Sequence, residues 1–269
     1  MRAWFIDATT RMPPHTRFAQ LRTDRPSELA TFGLIDFRDL WALADALRLL
    51  RQAGSLTEDD EATLVKWFRA FGEQLVKRTG GGASLHNNIG VYHDLLVASL
   101  AAYTDDRGVL ATALAHACLR VVVQVRPWGW QESETGRAAP LHYSLFALQG
   151  LIGLAWLGRH CGIDVWSHGN ASRRTIPMAA RFVATNRRLF SDYAADSIRF
   201  DDRIEAALRM IPADAADFDA VADLPRQPLA HPERLGMDDG FMPCERHRGD
   251  WAGMLPQSAL PNATTLGHT

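Results

Sequence analysis

From about residue 140 to residue 161 the chain runs through LHYSLFALQGLIGLAWLGRHC. Wound as a helix, this stretch is apolar on nearly every side, and such a helix is stable in water only when other helices surround it. No segment reaches the roughly 18 uninterrupted uncharged apolar residues of a membrane span, so the partners have to come from the chain itself. With 269 residues, 47% of them hydrophobic, there is enough material for one sizeable core and not obviously for two.

The neighbouring sequence supplies those partners. Residues 36–52 place Leu40, Leu43, Ala44, Leu47 and Leu50 at three- and four-residue spacing behind Asp36, a possible N-cap, and Gly54 follows as a stop. Thr57 and Asp60 then open a second helix with Leu64, Trp67, Phe68, Phe71 and Leu75 on one face, which the glycines at 80–82 end. A third helix is expected over about 88–104 and a fourth over about 107–124, the latter carrying Leu110, Leu114, Cys118 and Val121. After the apolar stretch, Asp164 to Ser172 reads as a loop, and weaker helices follow near 173–191 and 197–211. No period-two strand pattern stands out. Short turns between successive helices imply antiparallel hairpins, and an all-α bundle or α/α toroid stacked from them is the economical architecture. The expected division is a helical domain over 1–212 and an irregular tail over 213–269, where Pro225, Pro228, Pro232, Pro243, Pro256 and Pro261 interrupt any periodicity.

Charge and cysteine content narrow the function. Lys and Arg total 29 against 31 Asp and Glu, so no global field draws in nucleic acid or an anionic membrane, and an anionic substrate would need a local cluster. Cys118, Cys161 and Cys244 lie far apart without CxxC spacing, and Cys118 and Cys161 read as buried small hydrophobes. No HxxxH or HExxH spacing points to a metal, and neither metal nor cofactor is expected. The N-terminus, MRAWFIDATTRMPP, has no apolar run of signal-peptide length, which by itself leaves a soluble chain in the cytoplasm.

Two segments are more polar and aromatic than a helical scaffold requires. In Leu85-His86-Asn87-Asn88-Ile89-Gly90-Val91-Tyr92-His93-Asp94, adjacent asparagines at a helix start either only cap it or also present N–H groups to an anion at the positive end of the helix dipole. In Arg126-Pro127-Trp128-Gly129-Trp130-Gln131-Glu132-Ser133-Glu134-Thr135-Gly136-Arg137, two tryptophans beside Arg, Gln and Glu suit sugar rings, whose apolar faces stack on indole while hydroxyls and carboxylates need polar partners. The plainer alternative is that Trp128 and Trp130 seal helix ends. His142 and Tyr143 follow closely, and a buried tyrosine commonly does no more than hydrogen-bond one partner.

Together these segments resemble the alginate lyase family. NNIGVYHDLLVASLAAY at 87–103 is similar to the family's N-N-H-G-x-(W/Y)-Y-D-(V/L)-Q-V-A-(A/S)-(I/L)-A-x-(Y/F), and PWGWQESETGR-x5-Y at 127–143 is similar to P-D-G-S-Q-x-x-E-x-x-R-x5-Y. TRMPPHTRFAQ at 10–20, GLID at 33–36 and GIDVW at 162–166 match further family segments in consistent order. The resemblance implies an α/α toroid whose cleft binds an acidic polysaccharide or oligouronate and cleaves it by β-elimination. It implies that Asn88 neutralises the uronate carboxylate, that Arg137 is the cleft arginine and that Tyr143 handles protons. Asn87, His86, Trp128, Trp130, Gln131, Glu134 and His142 are the expected substrate-binding residues. It also implies a periplasmic or secreted protein.

The chemistry explains these residue types. A C5 proton of a uronate becomes removable only when its carboxylate is hydrogen-bonded or neutralised so that the enediolate is stabilised. Asn88 and Arg137 could donate to it, while Tyr143, poised by a guanidinium, could take the C5 proton and return one to the departing O4. The family's N-N-H, however, is Asn87-Asn88-Ile89 here, and isoleucine neither shuttles a proton nor donates to a carboxylate. Tyrosine-only elimination, His93 or His86 standing in, and a non-catalytic carbohydrate binder or scaffold all follow as readings. The chain also begins where family members usually have several earlier helices and a secretion signal, so an incomplete toroid is expected.

Overall fold

The computed structural model describes residues 1–16, 19, 32–77, 85–169 and 174–215. The described residues form helices and turns with no strand. In chain order the helices are α1 (Arg2–Phe5), α2 (Leu40–Gln52), α3 (Glu58–Lys77), α4 (Asn88–Tyr103), α5 (Arg107–Gln124), α6 (Glu132–Thr135), α7 (Pro140–His160), α8 (Ile176–Asn186) and α9 (Ser197–Arg209).

Local chemistry fixes most of the starts. Thr57 Oγ1 accepts from the Asp60 N–H at 3.2 Å, ahead of a first turn holding four acidic residues that suit the positive end of the dipole. Asp106 caps α5 through the Val109 N–H, Thr175 caps α8 through Met178, and Asp196 caps α9 through Arg199. The start of α2 departs from expectation. Asp36 lies within a 3-10 helix, Phe32–Phe37, and α2 begins at Leu40 behind Asp39, which makes no side-chain cap bond. The glycines at 80–82 lie outside the described residues, as does the tail from 216 onward. Residues 213–215 form a 3-10 turn tied to α7 by a bidentate Arg159–Asp214 pair at 2.8 and 2.9 Å.

The core is organised around α4 and α7. Every residue of α4 is buried, and this helix packs against α2, α3, α5 and α7. α7 in turn packs against α4, α5, α6, α8 and α9. By length and composition α7 could cross a membrane, but most of it is buried among these helices, which accounts for its apolar surface. The α4–α7 seam is close because of glycine: a Cβ at Gly150 would stand 2.6 Å from Val91 Cγ1. Between α1, α3 and α4, Phe5, Trp67, Phe68 and Tyr103 pack edge to face in succession. Cys118 and Cys161 are buried, and burial pushes both thiols up to about 11, in keeping with their reading as small hydrophobes.

Candidate active site

The site forms where the starts of α4 and α7 meet the segment between α5 and α7. Asn87 caps α4, its Oδ1 accepting from the Ile89 N–H at 3.0 Å, so this asparagine has the structural role. Asn88 points elsewhere. Its backbone N–H donates to Glu134 Oε1 at 2.5 Å and its Nδ2 donates to Glu134 Oε2 at 2.8 Å. Glu134 is thereby buried, with both carboxylate oxygens facing Asn88. Burial pushes its carboxyl up, and the Asn88 hydrogen bonds and the Arg137 charge offset part of that rise. Because a carboxylate only accepts, this contact fixes which end of the Asn88 amide is nitrogen and leaves the second Nδ2 proton for another acceptor.

From Glu134 the contacts run on to Tyr143. The Arg137 N–H donates to the Glu134 carbonyl at 3.1 Å, closing the turn after α6, and the exposed Arg137 guanidinium lies over the Tyr143 ring, 4.3 Å from its centroid. Asp192 fixes the start of α7, its two oxygens accepting from the Leu141 and His142 N–H groups at 2.9 and 3.0 Å. Half-buried, Tyr143 stands edge-on to His142, with centroids 5.2 Å apart, and His142 stacks on Phe146, which stacks on Tyr92 at 4.4 Å. Asn88, Arg137 and Tyr143, up to 55 positions apart in the chain, thus belong to one continuous set of contacts.

The other expected residues divide. Gln131 is buried and donates through Nε2 to the Ser144 carbonyl at 3.1 Å, tying the segment to α7 rather than facing solvent. Trp128 and Trp130 are 62% and 47% exposed, which is not the placement of plugs in helix ends. Trp128 adopts φ 73°, a conformation costly for a bulky residue, and the Trp130 indole N–H donates to Thr135 Oγ1. His86 is exposed.

His93 faces the interior. Its ring is buried with Nδ1 3.0 Å from Asp94 Oδ1 and Nε2 3.4 Å from the Leu75 carbonyl, so both nitrogens are turned to internal partners. Ile89, at the position of the family's histidine, is itself buried in the core.

A support that sequence pattern did not reveal lies behind Asn88. Asp94 on α4 accepts from Arg120 Nε of α5 at 2.5 Å, while His116 Nδ1 lies 3.2 Å from its other oxygen. Burial alone would raise the Asp94 carboxyl, but the hydrogen bonds from His116 and His93 and the Arg120 charge outweigh it and hold the group well below the usual carboxylate range. Arg120 Nη1 donates to the Leu85 carbonyl at 2.5 Å and Gln124 Nε2 to the Asn87 carbonyl at 3.2 Å, so α5 grips both ends of the turn that delivers Asn88. The glycine of the N-N-I-G run is required there, since a Cβ on Gly90 would fall 1.9 Å from the Leu85 carbonyl oxygen and 2.3 Å from Arg120 Nη1. Among the described residues no group of three His, Cys, Asp or Glu side chains is arranged to hold a metal ion.

Comparison with known proteins shows the family and the fold. The family model described as alginate lyase matches residues 1–188. Among solved structures, an alginate lyase from Bacteroides ovatus superposes with a TM-score of 0.70 at 20% sequence identity, over 78% of this chain and 57% of that one. The chain therefore spans little more than half the length of that protein, and the likeness shows the fold, an all-α α/α toroid. No curated protein matches the sequence.

Proposed function

Since this chain belongs to the alginate lyase family, we propose that it is a polysaccharide lyase that cleaves alginate or a related polyuronate by β-elimination, with Tyr143 as acid and base and Asn88 and Arg137 on the uronate carboxylate. The observation that carries this reading is the unbroken run of contacts from Asn88 through Glu134 and Arg137 to Tyr143.

In this reading the free Nδ2 proton of Asn88 and the Arg137 guanidinium donate to the carboxylate as negative charge moves onto it from C5. The Tyr143 oxygen takes the C5 proton. The electron pair left at C5 forms the C4–C5 double bond, the C4–O4 bond breaks, and Tyr143 returns the proton to O4. Glu134 touches no substrate in this scheme but holds the Asn88 amide, whose second Nδ2 proton is the donor. Trp128 and Trp130, exposed beside the site, offer indole faces to neighbouring sugar rings.

One observation favours a second reading, a carbohydrate-binding protein without catalysis: the histidine position holds a buried isoleucine and His93 is turned to internal partners. Incubation with a panel of polyuronates separates the two. A lyase generates an unsaturated uronate that absorbs in the near ultraviolet, and Tyr143→Phe, which removes only the hydroxyl, abolishes that signal while thermal unfolding stays unchanged. A wild-type chain that cleaves no faster than Tyr143→Phe refutes the assignment of the proton-handling residue, and binding without any absorbance change supports the second reading.

A further inference from the structure

The contact between Asn88 and Glu134 depends on charge as well as on shape. Both residues are buried, and each carboxylate oxygen receives one N–H of Asn88: the backbone N–H on Oε1 at 2.5 Å and Nδ2 on Oε2 at 2.8 Å. The polar atoms of Asn88 that face Glu134 are therefore both donors, which suits a group that only accepts. A proton on Glu134 changes this, because the carboxyl then has a hydroxyl hydrogen to place, and a buried donor without an acceptor is costly. The backbone N–H belongs to the first residue of α4, behind the Asn87 cap, and has no other polarity to offer. The side-chain amide has one. Turned over about its last bond, it gives Oδ1 to the hydroxyl and carries Nδ2 to the opposite edge, so the edge that donated now accepts.

We propose that Glu134 is a positioning residue that acts only as a carboxylate, fixing which edge of the Asn88 amide carries the donor for the uronate, and that uptake of one proton by Glu134 turns the amide over and ends cleavage on the acid side. This deepens the lyase reading and rests on it. It adds the protonation state in which the site works.

The charge that acts on Glu134 is that of Arg137, which favours the ionised form. Its guanidinium is exposed over the Tyr143 ring, and beside Tyr143 on α7 the His142 ring lies 3.3 Å from Arg203 Nη1 of α9. On the segment of Glu134 itself, Glu132 is exposed and paired with Arg126, while the neutral Gln131 is bonded to the Ser144 carbonyl. Further along α4, Asp94 is engaged by Arg120, His93 and His116. Burial works against Arg137 and pushes the Glu134 carboxyl up, so the site is on above a midpoint that lies higher than the value of about 4.3 of an exposed glutamate, and off below it.

Glu134→Gln separates positioning from structural support. Glutamine has the shape of the protonated carboxyl and keeps both hydrogen bonds, Oε1 accepting from the backbone N–H and Nε2 donating to the turned-over amide. The variant is expected to fold as the wild type does, with kcat lowered about 10²–10³-fold, the cost of one transition-state donor, and with the acid limb of its pH profile gone. In the wild type, the Asn88 side-chain amide of the ¹⁵N-labelled full chain, assigned through its backbone, titrates with a single midpoint that coincides with the acid limb of polyuronate cleavage. A folded Glu134→Gln that cleaves as fast as the wild type, an acid limb that stays in place in that variant, or an Asn88 amide that does not move through the limb overturns the proposal. Should Glu134→Gln not fold, the wild-type titration decides by itself. If no polyuronate is cleaved, the lyase reading and the acid limit fall together, and the amide titration still decides whether Glu134 sets Asn88.

Discussion

Arg120→Met tests whether the buried pair between α4 and α5 holds the turn that carries Asn88. The Arg120 and Asp94 side chains are 1% and 2% exposed, with Nε and Oδ2 at 2.5 Å, so the substitution strands a carboxylate in the interior. Removing one partner of such a pair costs about 3–5 kcal/mol. His93 and His116 still donate to Asp94, which argues for the lower end. At about 2–4 °C per kcal/mol for a domain of this size, the expected fall in Tm at neutral pH is about 6–12 °C, from about 3 kcal/mol. The pH dependence follows from the sign of the Asp94 shift. Its carboxyl is lower folded than unfolded, so its contribution is fully present above the unfolded value of about 4 and is lost as pH falls below it toward the folded value. The variant has less of this contribution to lose, and the gap between wild type and Arg120→Met should narrow on acidification below about pH 4. Thermal unfolding followed by circular dichroism across pH reads both effects. A fall of less than about 3 °C at neutral pH, set against the 2–4 °C expected per kcal/mol, or a gap that stays constant into acid, would refute the reasoning, as would failure of Asp94→Asn to recover part of the loss when combined with Arg120→Met.

Two further outcomes bear on the site itself. Ile89→His introduces an imidazole at a core position and should lower stability by about 1–3 kcal/mol, the cost of burying an unpaired polar group, without raising cleavage; a clear gain in kcat would mean that the ring reaches the substrate after all. Trp128→Ala and Trp130→Ala should each weaken the tryptophan fluorescence change produced by oligouronates while leaving Tm within about 2 °C, the effect of an exposed substitution worth no more than about 0.5 kcal/mol; unchanged binding in both would make the indoles structural.

What the sequence made legible were features that repeat or stay local. The all-round apolar character of α7 follows from its place at the centre of the core, and the capping residue Thr57 acts within three positions of itself. The family-like spacing of Glu134, Arg137 and Tyr143 was legible too, because all three sit within ten positions on one connected segment. The partner of Glu134 was not. Its spacing suggested a saccharide contact, whereas the folded carboxylate is buried on Asn88, 46 positions away. Asp36 resembled a cap because the apolar period begins close behind it, but Phe37, the last residue of the 3-10 helix, and a two-residue turn separate it from the first α-helical residue. Arg120 and Arg203 carry no local signal at all. Their partners, Asp94 and His142, lie 26 and 61 positions away on other helices, and only the packing of α5 on α4 and α9 on α7 brings them together.

The packing around the N-N-I-G run explains how its asparagines and glycine match the family pattern while position 89 departs from it. The N-N-I-G run is constrained by what surrounds it: Asn87 by the cap, Asn88 by Glu134, Gly90 by the approach of Arg120. Only position 89 turns into apolar core, so its side chain answers to packing, and an isoleucine there is stabilised by burial where an imidazole would need a partner.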